Sequence, residues 1–452
     1  MIQAVLGLIL LFGLVAPACY VTAALPALWL IQVTLLGNPS VLISAGPVDF
    51  TLVDIVILSL MAKVAISIIM KREMVADRPL YLTVAFYLTV QFLASLASVA
   101  HFGNSHMTRD ITALARFMSE IAIIPVLAQT IKTMPEARRC GKIVLGTLLI
   151  LGFIQFINFF GASHGIVIGE VQGIERGEQR YFGPVGDSVG FVLLLGYIFY
   201  LCACKPAGVL LFGGGIVLTA GIGAMFGTGV ATILFLIFGV QGDAIRTFTR
   251  KYLWLLPLLL FCGALASATV GRTMAKTLID RFTHGKVGKS ANQRMVSTKL
   301  AVRVILDNPL FGVGFMGYAT ALPEYGARQY FDFSKPDGGR ANANNQFLQS
   351  LTDAGMIGLF ATGALVTAMA FAFRRAGTAS DDALLGTMFR ASFIWLLALV
   401  LGNQAAVWLI PSSYVARLLW VLLGIAVAVQ RLSTRARESA ISDAKPQELA
   451  FA

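Results

Sequence analysis

Apolar runs of about 20 residues, the length that crosses the hydrocarbon of a bilayer, recur along almost the whole chain, separated by short basic connections. Inside hydrocarbon every backbone N–H and C=O must be bonded internally, so such runs are expected to be helices. Composition agrees: 57% of residues are hydrophobic and 13% charged, whereas soluble domains carry about a quarter charged residues. The expected fold class is therefore an all-α polytopic membrane protein. Spans are read near 48–70, 79–100, 107–131, 141–160, 184–203, 207–223, 224–241 and 252–270, then near 345–373, 386–406 and 409–430. Residues 2–36 are apolar throughout but hold Pro17 and Pro26, each able to kink or break a helix. One crossing there makes about twelve spans, two make thirteen.

The net charge of +12 does not point to nucleic acid, because it is distributed among loops that orient membrane helices. Connections at 71–78, 132–142, 205, 246–251, 374–375 and 431–445 hold nearly all the short-loop Lys and Arg. The opposite short loops hold Arg109, Arg176 and Arg180. The positive-inside rule makes the first set cytoplasmic. Loops 161–183 and 271–344 then face outward, and the tail at 431–452 is cytoplasmic, short, polar and expected to be disordered. The Met-Ile-Gln start lacks a basic n-region, so no cleaved signal peptide is expected. Cys19, Cys140, Cys202, Cys204 and Cys262 lie in or beside apolar runs, which predicts no disulfide framework in the large loop.

Ionisable groups inside a span face a partner or a wet cavity. Arg116 and Glu120 are one turn apart and can pair with each other, or line a cavity. Asp54 and Lys63 are too far apart in their run to pair directly and are expected to meet other helices or to snorkel.

The outward loops read as an anion site. The 161–183 loop carries Arg176, Arg180 and Tyr181 among glycines, which permit a tight turn beside a ligand; Arg180 as a headgroup anchor is the alternative. Asp187 or Ser188 can cap the span that follows. In the large loop, 291–307 has helical periodicity and stops at Asn308-Pro309. Val296, Leu300, Ala301, Val304 and Ile305 share one arc on which Arg294 also falls, whereas Lys299 and Arg303 fall opposite. Arg294 is thus expected to point toward the protein. Two inward arginines suit a bidentate grip on phosphate oxygens. Farther on come Asn308-Pro309-Leu310-Phe311-Gly312-Val313-Gly314 and Gly338-Gly339-Arg340-Ala341-Asn342-Ala343-Asn344-Asn345. The asparagines either cap the next span or hydrogen-bond a sugar or an acceptor.

These residues resemble the bacterial O-antigen ligases and Wzy-type polysaccharide polymerases. Three features carry the likeness. They are Arg180 to Gly183 opening a span, Arg294 followed by an amphipathic helix and the Asn-Pro-Leu-Phe-Gly-Val-Gly turn, and Asn344-Asn345 running through Phe347-Leu348-Gln349 to Asp353-Ala354-Gly355-Met356-Ile357-Gly358-Leu359. The resemblance implies a GT-C-like glycosyltransferase of the bacterial inner membrane, with domains 1–270, 271–344 (a large helical periplasmic loop), 345–430 and 431–452. Its donor would be a glycan on undecaprenyl pyrophosphate, its acceptor a glycan or lipid, and its partners the membrane lipids and a chain-length regulator. No cofactor or metal is implied. Carried over by position, Arg180 and Arg294 bind the pyrophosphate, and Asn344 and Asn345 stand where family ligases commonly have His-Asn. Arg340, Tyr181, Arg116 and Glu120 are further substrate-binding candidates. Asparagine is no useful base at neutral pH, which favours a repeat-unit polymerase over a ligase acting on lipid A core. His284, Glu178, Asp332 and Asp337 are the substitute bases. The Ser-Arg pair expected near 223–229 is absent from Gly-Ala-Met-Phe-Gly-Thr-Gly. A lipid-linked oligosaccharide flippase or other transporter is the rival from another class, though such folds commonly show internal repeats and this chain shows none.

Overall fold

The computed structural model describes residues 41–45, 48–51, 77–161, 164–166, 168, 170–173, 179–183, 188–219, 222–239, 289–330, 342–402, 407–409 and 413–449. It opens with a small hairpin, β1 (Val41–Ala45) and β2 (Val48–Thr51), paired antiparallel with Ile43 opposite Phe50. The span expected at 48–70 therefore begins as strand. Alternating Val48-Asp49-Phe50-Thr51 behind Gly46-Pro47 suits a hairpin better than a helix start. The rest of that run, with Asp54 and Lys63, lies outside the described residues, as do 2–36 and 252–270.

Helix α1 (Arg78–Phe102) starts at Asp77, whose carboxylate accepts the Leu80 N–H at 3.3 Å. The expected span 107–131 is helical, α2 (Asn104–Ile121) and α3 (Ile123–Thr130) meeting at Ala122 and forming together one candidate span over Asp110–Thr130. Pro125 cannot donate to the carbonyl one turn back, which loosens the turn at Ala122, although Ala122 keeps helical angles and accepts Val126 N–H at 3.3 Å. Helix α4 (Met134–Gly161) follows. A second hairpin, β3 (Glu170–Gly173) and β4 (Gln179–Gly183), packs against α4. Next come α5 (Val189–Cys202), α6 (Pro206–Leu218) and α7 (Ile222–Leu234). At 1.5 Å per residue α5 and α6 are each about 20 Å long, short of a hydrocarbon core of about 30 Å, whereas α7 runs on through a π-helical turn at Phe235–Gly239. The runs at 184–203 and 207–223 thus form shorter helices than expected, whereas the run at 224–241 is helical from 222 to 239. Ser188 holds the N-cap of α5 without a side-chain cap bond, so the expected Ser188 cap is not made.

Beyond them lie α8 (Lys289–Asp307), a short α9 (Tyr318–Ala321) with 3-10 turns at Leu322–Tyr325 and Ala327–Gln329, then α10 (Gln346–Ala379), α11 (Ala383–Gly402) and α12 (Tyr414–Leu449). The tail expected to be disordered continues α12 as helix through Leu449; its stretch 431–445 lacks glycine and proline and alternates Arg and Ala with polar residues, a composition that favours helix. Six helices among the described residues are long and apolar enough to cross a membrane: those at Arg78–Ala100, Asp110–Thr130, Met134–Gly161, Gln346–Ala379, Ala383–Leu401 and Tyr414–Ser439. Residues 415–429 of α12 are buried, packed between α3, α4 and α10, with Trp420 and Trp395 in the core.

One end of the bundle gathers the basic connections. Arg375 pairs with Asp77 at 2.8 Å, Arg138 with Asp382 at 3.4 Å, and Arg431 donates to Gln129 and to the Ile131 carbonyl. The opposite end carries a separate small core, where Leu300, Ala301 and Val304 of α8 meet Val313, Tyr318 and Leu322.

Candidate functional site

At that second end α10 is broken. Ala354 (φ −136°, ψ 19°) and Gly355 (φ 63°, ψ −157°) leave the helical region, and the break strands carbonyls that a continuous helix would satisfy. The 308–314 turn supplies the partners: Val313 N–H donates to Thr352 O and Gly314 N–H to Asp353 O, each at 2.9 Å, while Met356 N–H returns to Pro309 O at 2.9 Å. Backbone meets backbone here. A Cβ at Gly312 would lie 2.6 Å from the Ala354 nitrogen, and one at Gly355 would lie 2.7 Å from the Phe311 nitrogen. Both glycines also have left-handed φ, +63° in each case, which suits only glycine at so close an approach.

Below this junction the turn sinks into the bundle. Phe315 N–H donates to Ser95 Oγ at 3.1 Å, and Gly314 sits against the carboxylate of buried Asp110 and the hydroxyl of Ser98. Asp353, also buried, accepts from Gln349 Nε2 at 2.7 Å and from the Met316 and Tyr318 backbone N–H groups, with Asp110 close enough to act on it electrostatically.

Above the junction lies the asparagine turn. Asn342 Oδ1 accepts Asn344 N–H at 2.9 Å, an Asx turn. Asn344 itself has φ 56°, a left-handed conformation that asparagine tolerates better than most residues. Asn345 is the N-cap of α10, its Oδ1 accepting Phe347 N–H at 2.8 Å and Leu348 N–H at 3.0 Å. The capping alternative thus holds for Asn345, while the side-chain amide of Asn344, unlike its backbone N–H, hydrogen-bonds to no side chain or backbone group among the described residues. Gln349 Oε1 accepts Ala343 N–H at 2.9 Å, so one side chain ties the turn to Asp353. From the other side, Ser297 Oγ of α8 donates to Asn342 O at 2.6 Å, and Tyr318 OH donates to Ser297 O at 2.6 Å. Burial pushes the Tyr318 phenol up to about 12 against the opposing Ser297 hydrogen bond, so it stays protonated and donating at neutral pH.

Arg294 stands one turn before Ser297, on the helix this network locks to the asparagine turn. Its side chain is exposed, as are those of Lys299 and Arg303. The inward pointing expected for Arg294 is therefore corrected. It shares the arc of Ala301, but the buried face of α8, as described, runs from Ser297 to Val304 and does not reach it. Arg180 and Tyr181 lie in β4, Arg180 opposite Gln172, with side chains outside the described residues. Arg340, His284, Glu178, Asp332 and Asp337 also fall outside them.

Glu120 does not pair with Arg116. It pairs with Arg417 of α12, at 3.0 Å from Nε and 2.9 Å from NH2, both side chains nearly inaccessible. The longer reach across helices wins because Arg417, itself inside an apolar run, needs a partner as much as Glu120 does. Arg116 Nε is buried with no hydrogen-bond partner. Arg417 had a signal in the sequence, a lone cation in the run 409–430. Gln349 and Asp353 sat in a quoted motif without a role, because nothing local showed that they brace the turn.

No curated protein matches the chain. Residues 207–363 match the Wzy_C family model, described as O-antigen ligase. The matched stretch includes Arg294, the 308–314 turn, Asn344, Asn345 and the break in α10, whereas Arg116, Glu120, Arg180 and Tyr181 lie before it. This multi-pass chain thus carries, over 207–363, the likeness to O-antigen ligases and Wzy-type proteins that its motifs imply.

Proposed function

We propose that this protein is a glycosyltransferase that polymerises undecaprenyl-pyrophosphate-linked oligosaccharide units (O-antigen, capsule or exopolysaccharide) at the periplasmic face of the bacterial inner membrane. The observation that supports it most is the Ser297–Asn342 hydrogen bond, which fastens the helix bearing Arg294 to the turn bearing Asn344. In the reaction an acceptor hydroxyl oxygen attacks the anomeric carbon, and the bond from that carbon to the pyrophosphate oxygen breaks. The pyrophosphate leaves with the electron pair, and the acceptor hydroxyl's proton passes to the departing pyrophosphate or to water. Arg294, with Arg180 as its proposed partner, neutralises the charge gained by the leaving group, the largest electrostatic demand of such a step. Asn344 hydrogen-bonds the acceptor or a sugar hydroxyl; the good leaving group makes a strong base less necessary. No metal or organic cofactor enters this scheme.

The second reading is a ligase that moves the glycan to lipid A core. It is favoured by the description of the family matched at 207–363. Purified full-length protein in proteoliposomes, given the lipid-linked glycan, separates the outcomes. A ladder of longer lipid-linked products supports polymerisation, and transfer only to lipid A core supports ligation. Movement across the bilayer without transfer would establish the flippase alternative. Arg294→Ala should abolish transfer and Arg303→Ala should lower it mildly; equal loss in both would overturn the role given to Arg294. Asn344→His is a further probe, since a large gain would show that a base had been limiting.

A further inference from the structure

We infer that the outward face of α8 and the turn after it are seated in the bilayer, at the boundary between headgroups and acyl chains on the side of the α10 N-terminus. The buried face of α8 is Ser297, Leu300, Ala301 and Val304. On its other side Val302 and Leu306 are one turn apart and exposed, Leu306 at 72%, and Leu310 and Phe311 in the following turn are exposed at 59% and 45%. A helix with a second apolar stripe opposite its packed face is not designed for water.

The stripe joins the outward surface of the candidate spans. Leu310 and Phe311 lie against Gly355 at the break of α10, and Met356 N–H donates to Pro309 O at 2.9 Å. Directly below the break the candidate span exposes Met356 and Phe360, the latter at 70%. Phe360 packs edge-on against Phe86 of α1 at 6.2 Å, another outward residue of a candidate span. The apolar surface is thus continuous from the spans up to Leu306. Charge supplies the second argument. Lys299 and Arg303 flank the stripe and are exposed, the arrangement of interfacial helices whose cations meet anionic headgroups. Bilayer lipid fits both features together. The contact would fix the height of α8, and of the asparagine turn bonded to it, over the membrane.

The test uses single cysteines placed in the full chain, reconstituted in phosphatidylethanolamine and phosphatidylglycerol vesicles, with the wild-type signal from the native cysteines subtracted. A charged, water-soluble maleimide is present on both sides. Leu306→Cys, Leu310→Cys and Phe311→Cys should react at least about tenfold more slowly than the exposed controls Glu324→Cys and Arg328→Cys. A nitroxide attached at the same three positions should collide with oxygen more often than with an aqueous nickel chelate. Labelling as fast as in the controls, with nickel collisions dominant, would overturn the inference. So would protection seen in native membranes but lost in the vesicles, which would mean that a protein covers this face.

Discussion

Asn344 and Asn345 are neighbours under different demands. Asn345 satisfies two N–H groups of the first turn of α10, so Asn345→Ala should cost about 1 kcal/mol, and Asn345→Asp, which keeps the accepting oxygen, very little. Asn344 carries a left-handed φ of 56°, so Asn344→Gly should be neutral or slightly stabilising. If its amide contacts substrate, the same change should slow transfer about tenfold, the worth of one hydrogen bond. Thermal unfolding in detergent and single-turnover transfer, measured on all three variants, read the two roles separately; normal transfer by Asn344→Gly would remove the residue from the chemistry. The Glu120–Arg417 pair poses a different question, because both side chains are buried. Glu120→Ala leaves an uncompensated guanidinium and should destabilise by about 3–5 kcal/mol, whereas Glu120→Leu with Arg417→Met should recover most of that loss. A double variant no more stable than the single one would show that the pair does more than neutralise itself.

Between elements, the decisive contact is the one that lets the 308–314 turn replace a missing turn of α10. It depends on two glycines from distant parts of the chain. Gly312→Ala and Gly355→Ala each combine a backbone collision with a left-handed φ, and each should destabilise by at least about 2–3 kcal/mol. Gly363 lies in the same helix with nothing within 4 Å of a built Cβ, so Gly363→Ala should gain about 0.5–1 kcal/mol. Unfolding midpoints for the three variants check this directly; equal effects would mean that the junction tolerates separation. Both glycine motifs were legible in the sequence as short signatures, but their docking was not, since a backbone-to-backbone contact leaves no complementary side-chain pattern to read. The apolar face of α8 was legible from its periodicity, and the irregular turn at Ala122 within the run 107–131 had its signal in Pro125. The two hairpins were not, because strands of four or five residues carry too little alternation to stand out beside long apolar runs.

At the scale of the whole molecule, charge between the apolar runs proved more informative than the runs themselves. Hydropathy overestimated α5 and α6, because it marks an apolar run's extent and not where the helix itself begins and ends. The basic connections, by contrast, converge as a topology demands. The pairs Arg375–Asp77 and Arg138–Asp382 and the bonds from Arg431 join four of them at one end of the bundle. The asparagine turn and α8 occupy the other. The positive-inside rule predicts that the first end is cytoplasmic, and the proposed function requires the candidate site to open on the opposite side. Asp381 and Glu324 are exposed at opposite ends and suit a test by cysteine substitution. In cells with a permeabilised outer barrier, an impermeant maleimide should label Glu324→Cys at once and Asp381→Cys only after lysis. The reverse pattern would turn the site toward the cytoplasm, where a donor must be taken before it crosses. The glycan-transfer proposal would then lose its substrate, although the junction at Gly355 and the packing of α12 would stand unchanged.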